Sequence, residues 1–227
     1  DPTSLIAIIV GFVALGLFIV VEQRSDHPLV SLKLFQSRTF TGVNLQTLIL
    51  YGALAGAITF LPWNLQQIQG YSATVAGFAG LPISILLTIM SGWAGSLVDR
   101  VGPRPPLIIG PTIVGFGFAA LAIPGVTTGP SQYFVTFLPG ILLIGFGMGV
   151  TVAPLTTTAL GSVPQHNSGV ASAINNLMSR ASGSLAVALM GGLMLGSFTT
   201  MVMDFSVEAN LPPEAEQTLI VNSQDLG

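Results

Sequence analysis

GSLVDRVGPR, residues 95–104, is a short charged segment between two long runs that contain no Asp, Glu, Lys or Arg. The run 39–98 before it is 60 residues long, and the run 105–179 after it is 75 residues long. One membrane crossing takes roughly 20 apolar residues in a helix. Each run therefore has room for two crossings and a turn, and residues 95–104 join the two pairs.

Turn-forming residues divide the long runs at 66–72, 124–132 and 164–169. Two shorter uncharged runs, 2–21 and 181–203, each have the length of one crossing. The last helix could begin before it enters the membrane, because Ser168 is a good N-cap residue. The pattern predicts six transmembrane helices, near residues 4–21, 40–62, 74–95, 107–123, 134–157 and 181–203.

The composition supports an all-α membrane protein. Of 227 residues, 51% are hydrophobic and 7% are charged, whereas soluble domains have about 25% charged residues. The absence of cysteine excludes a disulfide framework and thiol chemistry. No Ser/His/Asp set, HExxH sequence or phosphate-binding loop is present, so we predict no enzyme, no catalytic residue, no cofactor and no metal. Nothing in the charge pattern indicates a nucleic-acid partner.

The basic residues are confined to alternate loops, which predicts an orientation. Loops 22–39, 96–106 and 158–180 contain all the lysines and arginines, while loops 63–73 and 124–133 are uncharged and the tail 204–227 is acidic. By the positive-inside rule, the basic loops are cytoplasmic and both ends of the chain are external, in a multi-pass protein of the inner or plasma membrane. The basic residues are Arg24, Lys33, Arg38, Arg100, Arg104 and Arg180.

Polar residues near the crossings are candidates for a substrate cavity. Asn44, Thr47 and Tyr51 follow helical spacing along one face of the second crossing. Arg180 lies at the predicted boundary of the last crossing, where it could extend to the lipid headgroups, pair with another helix or contact a substrate. For the polar face, ordinary helix packing and a cavity lining both remain open.

Glycines spaced four residues apart predict close contacts between helices. The pairs are Gly52 with Gly56, Gly145 with Gly149, and Gly192 with Gly196. Such pairs are common in plain helix packing, and they also suit a seam along which two helices move.

Residues 95–104 resemble the G-x-L-x-D-R-x-G-x-R signature of the major facilitator superfamily. Pro103 stands where the family usually has a basic residue, and an ordinary basic turn is the alternative interpretation. The resemblance implies a cytoplasmic latch that stabilises one conformation. Its residues would be Gly95, Asp99, Arg100, Gly102 and Arg104.

Three further stretches are similar to the drug:proton antiporters with fourteen spans: residues 70–82, residues 28–35, and residues 164–176 with Arg180 and Gly183. The resemblance implies an incomplete C-terminal bundle of the major-facilitator type. Since Asp1 is no initiator, we also expect a segment of a longer membrane protein. The implied organisation is a linker transmembrane helix at 1–22, a cytoplasmic linker at 23–39, the first five helices of a six-helix bundle at 40–203, and an acidic external loop at 204–227 before a missing last helix.

The function that this resemblance implies is proton-coupled efflux by alternating access. The implied partners are the lipid bilayer, a small lipophilic or cationic substrate, protons, and the missing N-terminal bundle and last helix. The coupling carboxylate of that family lies in the N-terminal bundle, outside these residues. Two alternatives remain: an exporter of a lipid or metabolite, and a receptor or scaffold that transports nothing.

Overall fold

The computed structural model describes residues 2–25 and 32–208, and its regular elements there are helices without strands. Short 3₁₀ turns at Leu32–Gln36, Pro130–Gln132 and Gln165–Asn167 precede three of the helices. The helices are α1 (Pro2–Arg24), α2 (Arg38–Gln67), α3 (Ala73–Ala79), α4 (Leu81–Val101), α5 (Arg104–Ala122), α6 (Tyr133–Thr136), α7 (Leu138–Gly161) and α8 (Ser168–Glu208).

Local sequence explains where these helices begin and stop. Ser37 and Ser72 are N-caps of α2 and α3, and their hydroxyls accept hydrogen bonds from the backbone N–H groups of Phe40 and Val75. Proline interrupts two of the predicted crossings. Pro82 lies next to the break between α3 and α4, and Pro139 lies next to the break between α6 and α7, because proline lacks the N–H that would continue the helix.

Six helical segments in the described residues are long and apolar enough to cross a membrane, which confirms the prediction of an all-α membrane protein with six crossings. Short breaks within α3–α4 and α6–α7 do not change that count. The segments are Ile6–Arg24, Arg38–Gln67, Ala73–Val101, Arg104–Ala122, Leu138–Gly161 and Gln165–Phe198.

Helix α7 is the centre of the bundle. It packs along α4 on one side and along α5 on another, while α2 packs chiefly against α8 and joins this pair to α7. Ile141, Ile144 and Met148 of α7 have no exposed surface. A helix that is apolar on all sides belongs in the interior of a bundle, and α7 has that composition.

Glycines let the backbones of α5 and α7 come together. A methyl group built on Gly147 would lie 2.6 Å from the Gly110 carbonyl oxygen, and one on Gly117 would lie 2.9 Å from the Gly140 carbonyl oxygen. These four residues extend the small-residue contacts beyond the pairs expected from spacing, since small residues permit close approach of membrane helices.

The predicted glycine pairs have different outcomes. Gly52 and Gly56 face α8, where a methyl group on Gly56 would lie 2.5 Å from Met190 Sδ. Gly145 and Gly149 face α4. The pair formed by Gly192 and Gly196 has no described neighbour within 4 Å of an added methyl group, so the prediction of a close contact is wrong for that pair in this structure.

Helix α1 stands apart from the bundle in its contacts. Its apolar side chains are exposed, for example Phe12 at 72%, and Glu22 is the buried residue among the α1 side chains that the structure describes. Exposed apolar surface of this extent is suited to lipid. The assigned linker at 23–39 contains residues 26–31, and the acidic loop at 204–227 contains residues 209–227, which lie outside the described residues.

The loops lie at two opposite ends of the bundle. At the first end, which we call the basic end, the start of α2, the α4–α5 turn and the end of α7 enclose one cleft. At the opposite end, Gln69 of the α2–α3 loop hydrogen-bonds Gly125 and Thr127 of the loop after α5, and Tyr133 donates a hydrogen bond of 2.7 Å to the Ala79 carbonyl oxygen. From α2 to α7, successive crossings therefore run in opposite directions.

Candidate functional site

The α4–α5 turn at the basic end presents its charges to the surroundings. Asp99, Arg100 and Arg104 are exposed, and none of them forms an ion pair or side-chain hydrogen bond within residues 2–25 and 32–208. Gly102 makes the turn with φ +77° and ψ 173°, a conformation that is open to glycine and strained for other residues. Gly95 has no described atom within 4 Å of an added methyl group.

A cleft of about 410 Å³ adjoins this turn. The hydroxyl oxygen of Thr158 is buried and has no hydrogen-bond partner among the described residues. Its neighbours Thr157 and Ser162 donate to carbonyl groups of their own helix. The cleft is therefore polar on its α7 side, and its lining consists of Ser37, Thr39, Val98, Pro103, Thr157, Thr158, Gly161 and Ser162.

The predicted polar face of α2 is largely a contact with α8. Asn44 and Thr47 are 2% and 1% exposed, and the side-chain amide of Asn175 donates to Asn44 Oδ1 at 3.3 Å and to Thr47 Oγ1 at 3.0 Å. The Asn44 amide donates in turn to the Phe40 carbonyl oxygen, and the Thr47 hydroxyl donates to the Val43 carbonyl oxygen. Neither Asn44 nor Thr47 offers exposed surface to a substrate in this structure.

Helix α8 corrects the predicted position of Arg180. Residues 158–180 are not one loop: α7 continues to Gly161 and α8 begins at Ser168, so Arg180 lies 12 residues inside a helix of 41 residues. The helix begins near Ser168, as the sequence predicts, whereas the start of the crossing at residue 181 was inferred from the charge of Arg180 itself. Asn175 is buried there because α2 supplies its hydrogen bonds.

Contacts between α2 and α8 give the depth of Arg180. Asn175 meets Asn44 and Thr47, and one turn after Arg180 a methyl group on Gly52 would lie 3.4 Å from both the Ser182 carbonyl oxygen and the Ala186 Cβ. Arg180 is therefore level with residues 47–52, near the middle of the 30-residue α2. Tyr51, which is half-buried, lies at the same level.

Three polar side chains lie on the exposed side of α8 at this level, beside the exposed Leu177. Asn176 and Ser184 stand four residues before and after Arg180, and all three are exposed. Residues four apart lie on one face of a helix. Within the described ranges, no hydrogen bond or ion pair engages the Arg180 guanidinium.

Sequence reasoning missed Asn175 and Asn176. Their adjacency was the available signal, because consecutive residues on a helix point about 100° apart and so take different environments. Asn175 is buried against α2 and Asn176 is exposed beside Arg180. Across the described part of the chain, no group of three or more His, Cys, Asp or Glu residues is placed to hold a metal ion.

Known proteins with similar sequences are consistent with this architecture. Residues 3–188 match the family model described as Major Facilitator Superfamily. The quinolone resistance protein NorB of Staphylococcus aureus, in strains JH9, Newman and COL, is 31% identical to the chain over 195 residues. That alignment covers 84% of this chain and 41% of NorB, so the chain spans about two fifths of the length of the curated relatives it matches.

Three observations agree with one another: the six apolar crossings, the charged segment at residues 95–104, and a family match over most of the chain. The similarity to NorB agrees with the drug:proton antiporter type that the sequence resembles. The chain is a multi-pass membrane protein and belongs to the major facilitator superfamily.

Proposed function

We propose that the chain is the C-terminal half of a proton-coupled efflux transporter that works by alternating access. Transporters of the matched family carry small substrates across a membrane, and NorB is named for quinolone resistance. The observation that carries the proposal is the exposed polar face of α8 at mid-depth, formed by Asn176, Arg180 and Ser184. A bundle surrounded only by lipid gains nothing from charge there, whereas a water-filled cavity tolerates it.

The proposed architecture places a second bundle against this face. In transporters built from two bundles, the substrate site lies near the middle of the membrane, between them. Tyr51 and Arg180 are at that depth and belong to the proposed cavity. Asn44 and Thr47 do not line this cavity, and their proposed role is to hold α8 against α2 through hydrogen bonds with Asn175.

The turn at residues 95–104 is the proposed latch. Asp99, Arg100 and Arg104 are exposed and without ion partners in the described ranges, so they are free to contact the other bundle at the basic end. The positive-inside rule makes that end cytoplasmic. A latch of this kind would stabilise the conformation that is closed to the cytoplasm.

Proton coupling requires a titratable group inside a bundle. Asp99 is the acidic residue between residues 39 and 203, and it lies at the end of α4 rather than inside the bundle. The coupling carboxylate is therefore proposed to lie in the N-terminal bundle, and the present residues would respond to it through movement of the two bundles.

Transport in reconstituted vesicles tests the proposal. The natural gene product would be purified and placed in proteoliposomes with an imposed proton gradient, with ethidium and norfloxacin as substrates. The proposal predicts accumulation that depends on the gradient and stops when a protonophore removes it. Transport that requires ATP, or no gradient-dependent movement of either compound, would contradict the proposal.

A further inference from the structure

Arg180 is unusual among the charged residues of this chain. The other charged side chains in the described helices lie at or near helix ends, such as Glu22 and Arg24 in α1 or Asp99 and Arg100 in α4. Arg180 instead lies level with residues 47–52 of α2, near the middle of that crossing. A guanidinium so deep in a bilayer marks a functional position or a buried pair.

The face that Arg180 occupies excludes a pair with the described helices. The α2-facing side of α8 is formed by Asn175, Ser182 and Ala186, whereas Arg180 lies on an exposed side of the helix. Leu177 is exposed and lies seven residues before Ser184, so it shares the face of Arg180, whereas Leu185 is turned away from that face. The side of α8 that carries Arg180 thus combines three polar side chains with one leucine.

The neighbours of Arg180 supply donors and no competing carboxylate. The amide of Asn176 and the hydroxyl of Ser184 lie one turn on either side, and no Asp or Glu occurs between Asp99 and Asp204. A planar guanidinium presents paired N–H groups that match a carboxylate in two parallel hydrogen bonds. The local chemistry is therefore complementary to an anion and unfavourable to a simple cation.

We propose that Arg180 binds the carboxylate of the transported substrate, with Asn176 and Ser184 donating further hydrogen bonds. The substrate class is then an amphipathic molecule with an apolar body and a carboxylate, zwitterions included. This selects carboxylates within the lipophilic class that the resemblance implies and departs from its simple cations, and it rests on the proposed function. Apolar exposed residues on neighbouring helices would contact the body of such a substrate.

Equilibrium binding to the purified natural gene product tests this assignment. The probes are pyrenebutyrate and its primary amide, which differ in charge and share the apolar ring. A hydrogen-bonded ion pair makes the acid bind about tenfold tighter than the amide in the wild type. Arg180→Gln removes this preference, Arg180→Lys retains part of it, and Arg38→Gln, a matched change at the end of α2, leaves it unchanged.

Two kinds of result would overturn the assignment. In the first, the wild type binds the acid and the amide equally or binds neither. In the second, Arg180→Gln keeps the preference for the acid, for example by weakening both probes by the same factor. Thermal unfolding of each variant separates loss of fold from loss of selectivity. If Arg180→Gln does not fold, the binding comparison is made with Arg180→Lys instead. Binding is measured without a proton gradient. A failure of proton-driven transport would therefore contradict the proposed function without affecting the interpretation of the binding result.

Discussion

The side-chain amide of Asn175 donates a hydrogen bond of 3.0 Å to the Thr47 hydroxyl oxygen, and this contact fixes the rotation of α8 against α2. With Asn175 directed at α2, the next residue, Asn176, and Arg180 one turn later are turned to the exposed side. The polar face of α2 thus acts indirectly, by orienting the candidate substrate-binding face of α8.

Replacing Asn175 with Ala is expected to destabilise the protein by about 1–2 kcal/mol, because two interhelical hydrogen bonds are lost and such bonds average about 0.6 kcal/mol each in membranes. The free energy of unfolding in detergent measures the change. Combining Asn175→Ala with Thr47→Val in a double-mutant cycle should give a coupling of about 0.5 kcal/mol or more. The control is Thr112→Val on the exposed side of α5, and strictly additive effects would contradict a direct contact.

Replacing Gly147 with Ala is expected to cost about 1–3 kcal/mol of stability through overpacking. The added methyl group would lie 2.6 Å from the Gly110 carbonyl oxygen and 2.8 Å from Val114 Cγ2, so α5 and α7 would have to separate. Gly115→Ala is the matched control on α5, where nothing described lies within 4 Å. Equal melting temperatures for the two variants would show that the seam is not tightly packed.

Gln69→Ala is expected to loosen the opposite end of the bundle, at a cost of about 1–3 kcal/mol. Gln69 Oε1 accepts hydrogen bonds from the Thr127 amide at 2.7 Å and the Thr127 hydroxyl at 2.8 Å. Hydrogen exchange at the Thr127 amide should accelerate in this variant, whereas Gln67→Ala, an exposed neighbour, should leave it slow. Unchanged exchange in Gln69→Ala would mean that the two loops are held by other contacts.

Asp99→Asn is expected to lower export by about tenfold while membrane insertion stays normal, because a latch that biases two conformations contributes about 1–3 kcal/mol. Export of norfloxacin by intact cells and the amount of protein in the membrane are the two measurements. Ser96→Ala is the control, since its hydroxyl bonds the Trp93 carbonyl oxygen of its own helix. Full export by Asp99→Asn would remove the proposed role in the latch.

Much of the fold could be predicted from charge spacing. Uncharged runs of 60 and 75 residues each contain two crossings, and the segment 95–104 joins α4 to α5 as expected, although α4 continues to Val101 and the turn itself is Gly102 and Pro103. Proline alone did not locate the helix breaks, because Pro82 and Pro139 lie next to breaks whereas Pro62 and Pro111 lie inside continuous helices. These features are local, so they depend on the composition of one segment and on the thickness of a membrane.

The candidate site was harder to predict, because burial depends on partners far away in the chain. Asn44 and Thr47 have the spacing of a cavity lining, yet Asn175, over 120 residues later, covers them. Arg180 was placed at a membrane boundary because its charge ends the uncharged run 181–203, and only contacts between α2 and α8 reveal its depth. A polar residue in a membrane helix faces either another helix or a cavity, and periodicity alone gives no means of choosing.

A cysteine placed at Ser184, one turn beyond Arg180 on the exposed face of α8, reports whether this face lines a cavity that opens to each side of the membrane in turn. These 227 residues contain no cysteine, so the unsubstituted protein is a clean control for this part of the chain, and Leu185→Cys provides an apolar control at the same depth. Alternating access predicts that a membrane-impermeant maleimide labels Ser184→Cys from the cytoplasmic side in one condition. Imposing a proton gradient should then shift labelling to the external side, with Leu185→Cys unlabelled from both. Labelling of Ser184→Cys from neither side, or from one side regardless of the gradient, would contradict the account.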